Sequence, residues 1–216
     1  MANNVIFDLD GTLFDSMKFW DGVGREFLMR YGVTEFPADF GLKVKAMSIA
    51  ESSTYFRETF GVDFAVDFIA DSMREMVADK YRYEAEFKPN VRETLEALHR
   101  ADIKMCIATA TYADLVDEAL IRLKARDYFE FILSCNEVGK SKSHPDIFIE
   151  CMNRLGGTLE NTVVIEDSLH AISTAKSVGF KVIAVSEERQ LADIDKIKKV
   201  ADCYLEIMDM DSIIDI

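Results

Sequence analysis

The run Val5-Ile6-Phe7-Asp8-Leu9-Asp10-Gly11 decides the fold. Its apolar half reads as a short buried strand, and the Asp-Gly that follows reads as a tight turn. Working outward, comparable runs recur at Ile103–Ala108, Phe131–Leu133, Thr162–Ile165 and Lys181–Val185. Helical patterns separate them, over Val91–His99, Tyr112–Leu123, Asp146–Leu155 and Ser168–Val178, with a last helix and strand near Ile194–Ile207. Apolar strands alternating with amphipathic helices predict an α/β fold with a parallel sheet covered on both faces. The stretch from Gly11 to about Glu86 contains no strand pattern. It reads as helices, with Ser16 as an N-cap, a segment around Ser48–Phe60 and a longer one around Asp63–Tyr83. The expectation is a catalytic core of residues 1–15 and 88–216, interrupted by an all-helical domain of residues 16–87.

Composition narrows the partners. With 25 Lys+Arg against 39 Asp+Glu the formal charge is −14, which argues against nucleic acid and against an anionic membrane surface. No apolar run approaches the length of a membrane span, and the N-terminus lacks the pattern of a cleaved signal. Cys106, Cys135, Cys151 and Cys203 show no Cys-x-x-Cys spacing and read as free thiols, which points to a reducing, cytoplasmic setting.

In a parallel α/β sheet the ligand site lies beyond the carboxyl ends of the strands. Those ends supply Asp8 and Asp10, then Thr109-Ala110-Thr111, then Glu166-Asp167, with Lys140 and Lys142 after the third strand. Asp8 and Asp10 are two residues apart, so both carboxylates project to one side. Four clustered carboxylates repel unless a cation joins them, and Mg²⁺ is the natural ion for oxygen ligands that also meet a phosphate. The Thr109 hydroxyl and the Ala110 amide are candidate donors to an anionic oxygen, while Thr111 reads as an N-cap. A lysine at the next strand end would offset the negative charge.

These pieces resemble the motifs of the haloacid dehalogenase-like superfamily of phosphotransferases. Phe7-Asp8-Leu9-Asp10-Gly11-Thr12-Leu13 is similar to motif I, Thr109 to motif II, Lys142 in Lys-x-x-Pro-Asp-x-Phe to motif III, and Glu166-Asp167-Ser168 to motif IV. The likeness runs from Val5 to about Val185 and includes the inserted helices, which resemble the small cap of the phosphoglycolate phosphatase and β-phosphoglucomutase branch. It implies a Rossmann-like core with a helical cap, and an enzyme that hydrolyses a small phosphorylated metabolite. Asp8 would be the nucleophile and Asp10 the general acid and base. Mg²⁺ would be held by Asp8, the Asp10 carbonyl, Asp167 and Glu166, and the phosphoryl oxygens by Thr109, Ala110 and Lys142. Trp20, Lys45 and Met47 are the expected cap contributions to substrate binding, and a monomer the expected state.

Other readings are weighed against this one. A β-phosphoglucomutase-type mutase would use the same Asp pair, but Ile49 stands where such caps carry an arginine. A phospho-acceptor module leaves the inserted helices without a purpose. Gly139-Lys140-Ser141 lacks the earlier glycine of a P-loop, Gly22-Val23-Gly24 follows no strand, and no Gly-x-Ser-x-Gly elbow occurs. His170 is expected to pack or face solvent, because imidazole suits Mg²⁺ poorly.

Overall fold

A computed structural model describes residues 2–45 and 47–216, apart from the side chains of Leu42 and Lys45. Six strands form one sheet: β1 (Asn4–Phe7), β2 (Lys104–Thr109), β3 (Phe131–Ser134), β4 (Thr162–Glu166), β5 (Lys181–Val185) and β6 (Cys203–Leu205). The order is β3-β2-β1-β4-β5-β6 and every pairing is parallel. This is the α/β sheet expected from the apolar runs. Strand β1 lies between β2 and β4, so the ends that carry Asp8, Thr109 and Glu166 adjoin at the point where the strand order reverses.

Strand periodicity divides the core. Val5, Phe7, Met105, Ile107, Val163 and Ile165 face one layer, whereas Ile6, Cys106, Ala108 and Val164 face the other. The first layer is covered by α6 (Val91–Arg100), α7 (Ala113–Arg122) and α12 (Met210–Ile214). The second is covered by α9 (Asp146–Leu155), α10 (Leu169–Ser177) and α11 (Ile194–Val200), with the single turn α8 (Cys135–Val138) beside β3. Burial of both faces accounts for the near-continuous apolar strands.

Among the described residues, five helices lie between β1 and α6: α1 (Met17–Trp20), α2 (Val23–Arg30), α3 (Phe40–Lys45), α4 (Ile49–Phe60) and α5 (Val66–Tyr83). Helix α4 begins at a capping box in which Ser48 and Glu51 satisfy each other's backbone amides. Phe27, Phe40 and Phe56 fill the interior of this group. Helix α2 approaches it closely through Gly24, where an added Cβ would sit 2.7 Å from the Phe56 ring. The short α3 has no strong start signal and is absent from the pattern-based reading. Ser16 also differs from expectation: it makes no capping bond, and its hydroxyl turns to Asp10 instead.

The chain leaves and rejoins the core side by side. Phe14 bridges Phe87 in antiparallel fashion, the Asp15 amide donates to the Glu86 carbonyl at 3.0 Å, and the Lys88 amide donates to the Leu13 carbonyl at 2.9 Å.

Candidate active site

A cavity of about 310 Å³ lies between the strand ends and the inserted helices. At its floor, Asp8 follows β1 and is buried. Lys142 Nζ donates to Asp8 Oδ1, and it also donates to Glu166 Oε1 at 2.8 Å. The second Asp8 oxygen, Oδ2, is buried and has no hydrogen-bond partner among the described residues. Lys140, the other candidate, is exposed and pairs with Asp146 at 2.6 Å.

The two residues at the end of β4 divide their work. Glu166 Oε2 accepts from the Asp167 and Ser168 amides at 2.8 Å each and from the Ser168 hydroxyl at 3.0 Å, while Oε1 accepts from Lys142. Both oxygens are therefore engaged, one by Lys142 and the other by the turn. Asp167 accepts a 3.3 Å bond from Gln190 Nε2. It packs against Gly11, whose φ is +92°, and an added Cβ there would lie 2.9 Å from Asp167 Oδ2.

Electrostatics follows from burial. Burial pushes the Asp8 carboxyl up to about 7, against the pull of Lys142 and with added repulsion from Glu166. Asp167 is driven well above the usual carboxylate range by burial, then by Glu166 and Asp8. Burial also opposes the charge on Glu166, but Lys142 and the backbone amide outweigh it and hold the group low. Lys142 is disfavoured by burial yet raised overall by Asp8 and Glu166.

These features test the fit of a divalent ion. Ligand atoms of Asp8, Glu166 and Asp167 lie within 4.8 Å of one another, one Asp8 oxygen has no hydrogen-bond partner among the described residues, and burial with the Glu166 and Asp8 charges opposes the ionised form of Asp167. An all-oxygen, anionic donor set of this kind suits a hard cation such as Mg²⁺.

Asp10 is held differently. Ser16 donates to its Oδ1 at 2.5 Å, Tyr81 donates to the same oxygen, and Thr111 donates to Oδ2 at 2.6 Å. Trp20 Nε1 donates in turn to the Tyr81 hydroxyl at 2.7 Å. Thr111 is thus not a helix cap, and Tyr112 occupies that position. Of the residues singled out from the sequence, Asp8, Asp10, Ala110, Lys142, Glu166, Asp167, Trp20 and Met47 line the cavity. Thr109 does not: it is fully buried, and its hydroxyl accepts from the Thr111 amide at 3.0 Å. The turn after β2 carries Ala110 and Thr111 into the cavity and leaves Thr109 behind them. The side chain of Lys45 lies outside the described residues. His170, expected to pack or face solvent, stands on the cavity wall.

Sequence reasoning missed Tyr81, Ser16 and Gln190. It also missed Lys88, which donates to the Gly11 and Ser186 carbonyls at 2.6 Å and to Glu187 at 3.0 Å, tying the motif around Asp10 to the loop after β5.

Comparison with known proteins identifies the family. The haloacid dehalogenase-like hydrolase profile matches residues 5–185. The phosphorylated carbohydrates phosphatase of Thermotoga maritima is 29% identical over 182 residues, covering 83% of this chain and 82% of that protein. The mitochondrial (DL)-glycerol-3-phosphatase 1 of Arabidopsis thaliana is 31% identical over 199 residues, covering 86% of this chain and 64% of that longer protein. Among solved structures, that of CbbY from Rhodobacter sphaeroides with phosphate superposes with a TM-score of 0.80, at 21% identity, over 95% of this chain and 93% of that one.

Proposed function

The chain belongs to the haloacid dehalogenase-like hydrolase family and is a phosphatase, and on that premise we propose how its own residues perform the hydrolysis of a small phosphorylated metabolite. The observation that carries the reading is Asp8: one carboxylate oxygen is fixed by Lys142, the other is buried and without a partner among the described residues, and the residue lines a cavity that also holds Asp10.

In this mechanism Asp8 Oδ2 attacks phosphorus. The new O–P bond forms as the bond from phosphorus to the substrate alcohol breaks, leaving an aspartyl-phosphate. Asp10, as a carboxylic acid, gives its proton to the departing oxygen. As a carboxylate it then removes a proton from the water that attacks the same phosphorus, and cleavage of the O–P bond restores Asp8. Lys142 neutralises the charge of nucleophile and phosphoryl group, and the Ala110 amide offers a donor to the phosphoryl oxygens. Thr109 acts through the turn that presents this amide. Mg²⁺, when bound, would supply positive charge that offsets the charge of the carboxylates and the phosphoryl group. Asp8, the Asp10 carbonyl and Asp167 would hold it, with Glu166 orienting Lys142.

No described helix is long and apolar enough to cross a membrane. The free cysteines, three of them buried, fit the cytoplasmic setting read from their spacing.

The test is phosphate release from a panel of phosphorylated metabolites, run beside glucose 1-phosphate isomerisation. Hydrolysis should dominate, Asp8→Asn should abolish it, and Asp10→Asn should slow it about 10²–10⁴-fold. Isomerisation outpacing release would replace the phosphatase with a mutase.

A further inference from the structure

The loop after β5 touches three parts of the active site within a few residues. At its root, Lys88 holds the Ser186 carbonyl and the Glu187 carboxylate, and with the same ammonium it holds the Gly11 carbonyl. A turn of 3₁₀ helix over Glu188–Asp193 then sends two consecutive side chains to different partners. Gln190, only 8% exposed, donates from Nε2 to Asp167 Oδ2 at 3.3 Å. Arg189 reaches the inserted helices and forks onto Asp21: Nε donates to Oδ1 at 3.1 Å and Nη2 donates to Oδ2. Asp21 directly follows α1, and both it and Arg189 line the cavity.

This ion pair is placed apart from the others that join insert and core. Among the described residues, Arg74–Asp114 and Arg82–Glu118 tie α5 to α7, and Arg122–Glu86 lies where the insert ends. Helix α7 follows β2, whereas Arg189 follows β5, and these strands lie on opposite sides of β1. The α5 side is fastened by several pairs, and the Asp21 side by a single half-exposed one. An exposed pair adds little to stability, but a two-pronged guanidinium contact fixes direction as well as distance.

What moves Arg189 must also move Gln190. The two are neighbours in a hydrogen-bonded turn, in which the Gln190 amide donates to the Glu187 carbonyl at 2.9 Å, and Lys88 pins the root of that turn. The Gln190–Asp167 bond is longer than the usual range of about 2.7–3.2 Å, so a small shift of the turn makes or breaks it. A carboxylate that ligates a metal depends on such outer partners for its orientation.

Resting on the phosphatase reading above for the ion's part in the reaction, we propose that this loop couples the seating of the inserted helices to divalent-ion binding. Gln190 is a positioning residue for Asp167, and the Asp21–Arg189 pair sets where Gln190 stands. The coupling is reciprocal, so the ion steadies the pair as much as the pair favours the ion.

The experiment measures the Kd for Mg²⁺ by calorimetric titration of the chelator-treated full chain. It compares wild type, Gln190→Leu, Asp21→Asn, Arg189→Gln and the Asp21→Asn/Arg189→Gln double variant. Gln190→Leu should raise Kd about tenfold or more. Asp21→Asn and Arg189→Gln should each raise it about fivefold, and the double variant no further, since either change removes the same pair. A purely structural pair would lower the melting temperature of the ion-free protein and leave Kd as in wild type. An unchanged Kd in either single variant, or single effects that add in the double, overturns the coupling, and an unchanged Kd in Gln190→Leu overturns the positioning role. Asp21 and Arg189 are exposed, so their variants decide the coupling even where Gln190→Leu does not fold. These outcomes leave the phosphatase standing. A wild-type chain that neither binds Mg²⁺ nor releases phosphate from p-nitrophenyl phosphate overturns both.

Discussion

The Tyr81 hydroxyl, carried on the last inserted helix, donates to the Asp10 carboxylate at the end of the core's first strand. Burial, followed by the Asp10 charge, drives the phenol well above its ordinary pKa, so it remains a donor throughout the physiological range. Tyr81→Phe would deprive Asp10 of one donor and Trp20 of its acceptor. We expect a loss of about 1–3 kcal/mol in unfolding free energy. We also expect kcat to fall about tenfold with KM little changed, as for a group that places an acid/base residue. Urea titration and steady-state kinetics on the same preparation would check both, and an unaltered kcat would separate Tyr81 from the chemistry.

Removal of divalent ions should be felt by the fold as well as by the reaction. Asp8 and Asp167 are buried near each other, and their charges repel. Adding Mg²⁺ to chelator-treated protein should raise the melting temperature progressively, by about 2.7 kcal/mol of stabilisation at a hundredfold excess over Kd. The shift should vanish in Asp167→Asn. EDTA should abolish phosphate release and Mg²⁺ restore it, whereas full activity in chelator would remove the ion from the reaction.

Gly11 is fixed by two constraints at once, a left-handed φ of +92° and contact with Asp167. Gly11→Ala should cost about 1–3 kcal/mol through backbone strain. Because the new methyl group meets Asp167 Oδ2 at 2.9 Å, the Mg²⁺ concentration for half-maximal activity should rise about tenfold or more. Loss of stability with no change in Mg²⁺ dependence would show that the contact is steric only.

Acid sensitivity has a distinct origin. Asp202 accepts from Lys176 at 2.8 Å and from the Val182 amide at 2.7 Å, pinning the turn before β6 to the start of β5. Burial pushes its carboxyl up, yet Lys176 and the Val182 amide prevail and hold it below the ordinary value. A depressed folded pKa stabilises above the unfolded pKa and is lost as pH falls through the folded one. The wild-type urea midpoint should therefore fall more steeply than that of Asp202→Asn as the pH is lowered through the acid range. The difference should be small, since a third of this side chain is exposed.

What could be read in advance was local. An apolar run ending in Asp-Leu-Asp-Gly carries strand, turn and same-side carboxylates within a few residues, and the structure keeps all three together. Lys142 and Lys140 differ only in spacing to Pro145-Asp146, and that spacing separates the buried lysine from the exposed one. Thr109 and Thr111 offer the same hydroxyl two residues apart. Only the turn after β2 decides that Thr111 meets Asp10 while Thr109 supports the backbone. Tyr81 is 71 residues from Asp10 and sits in an amphipathic helix, where an aromatic reads as core. It is core by burial, but its hydroxyl reaches out of the core to the site, and no periodicity records that.

The paired backbone at Phe14 and Phe87 bears on how such a protein can change over generations. Because both crossings between sheet and insert are stitched together by backbone hydrogen bonds, the intervening segment is a loop with abutting ends. Any replacement whose own ends meet at that spacing can be spliced in without disturbing the register of β1. The reactive carboxylates would keep their places while the wall opposite them was rewritten, so this architecture lets selectivity drift at little cost to reactivity.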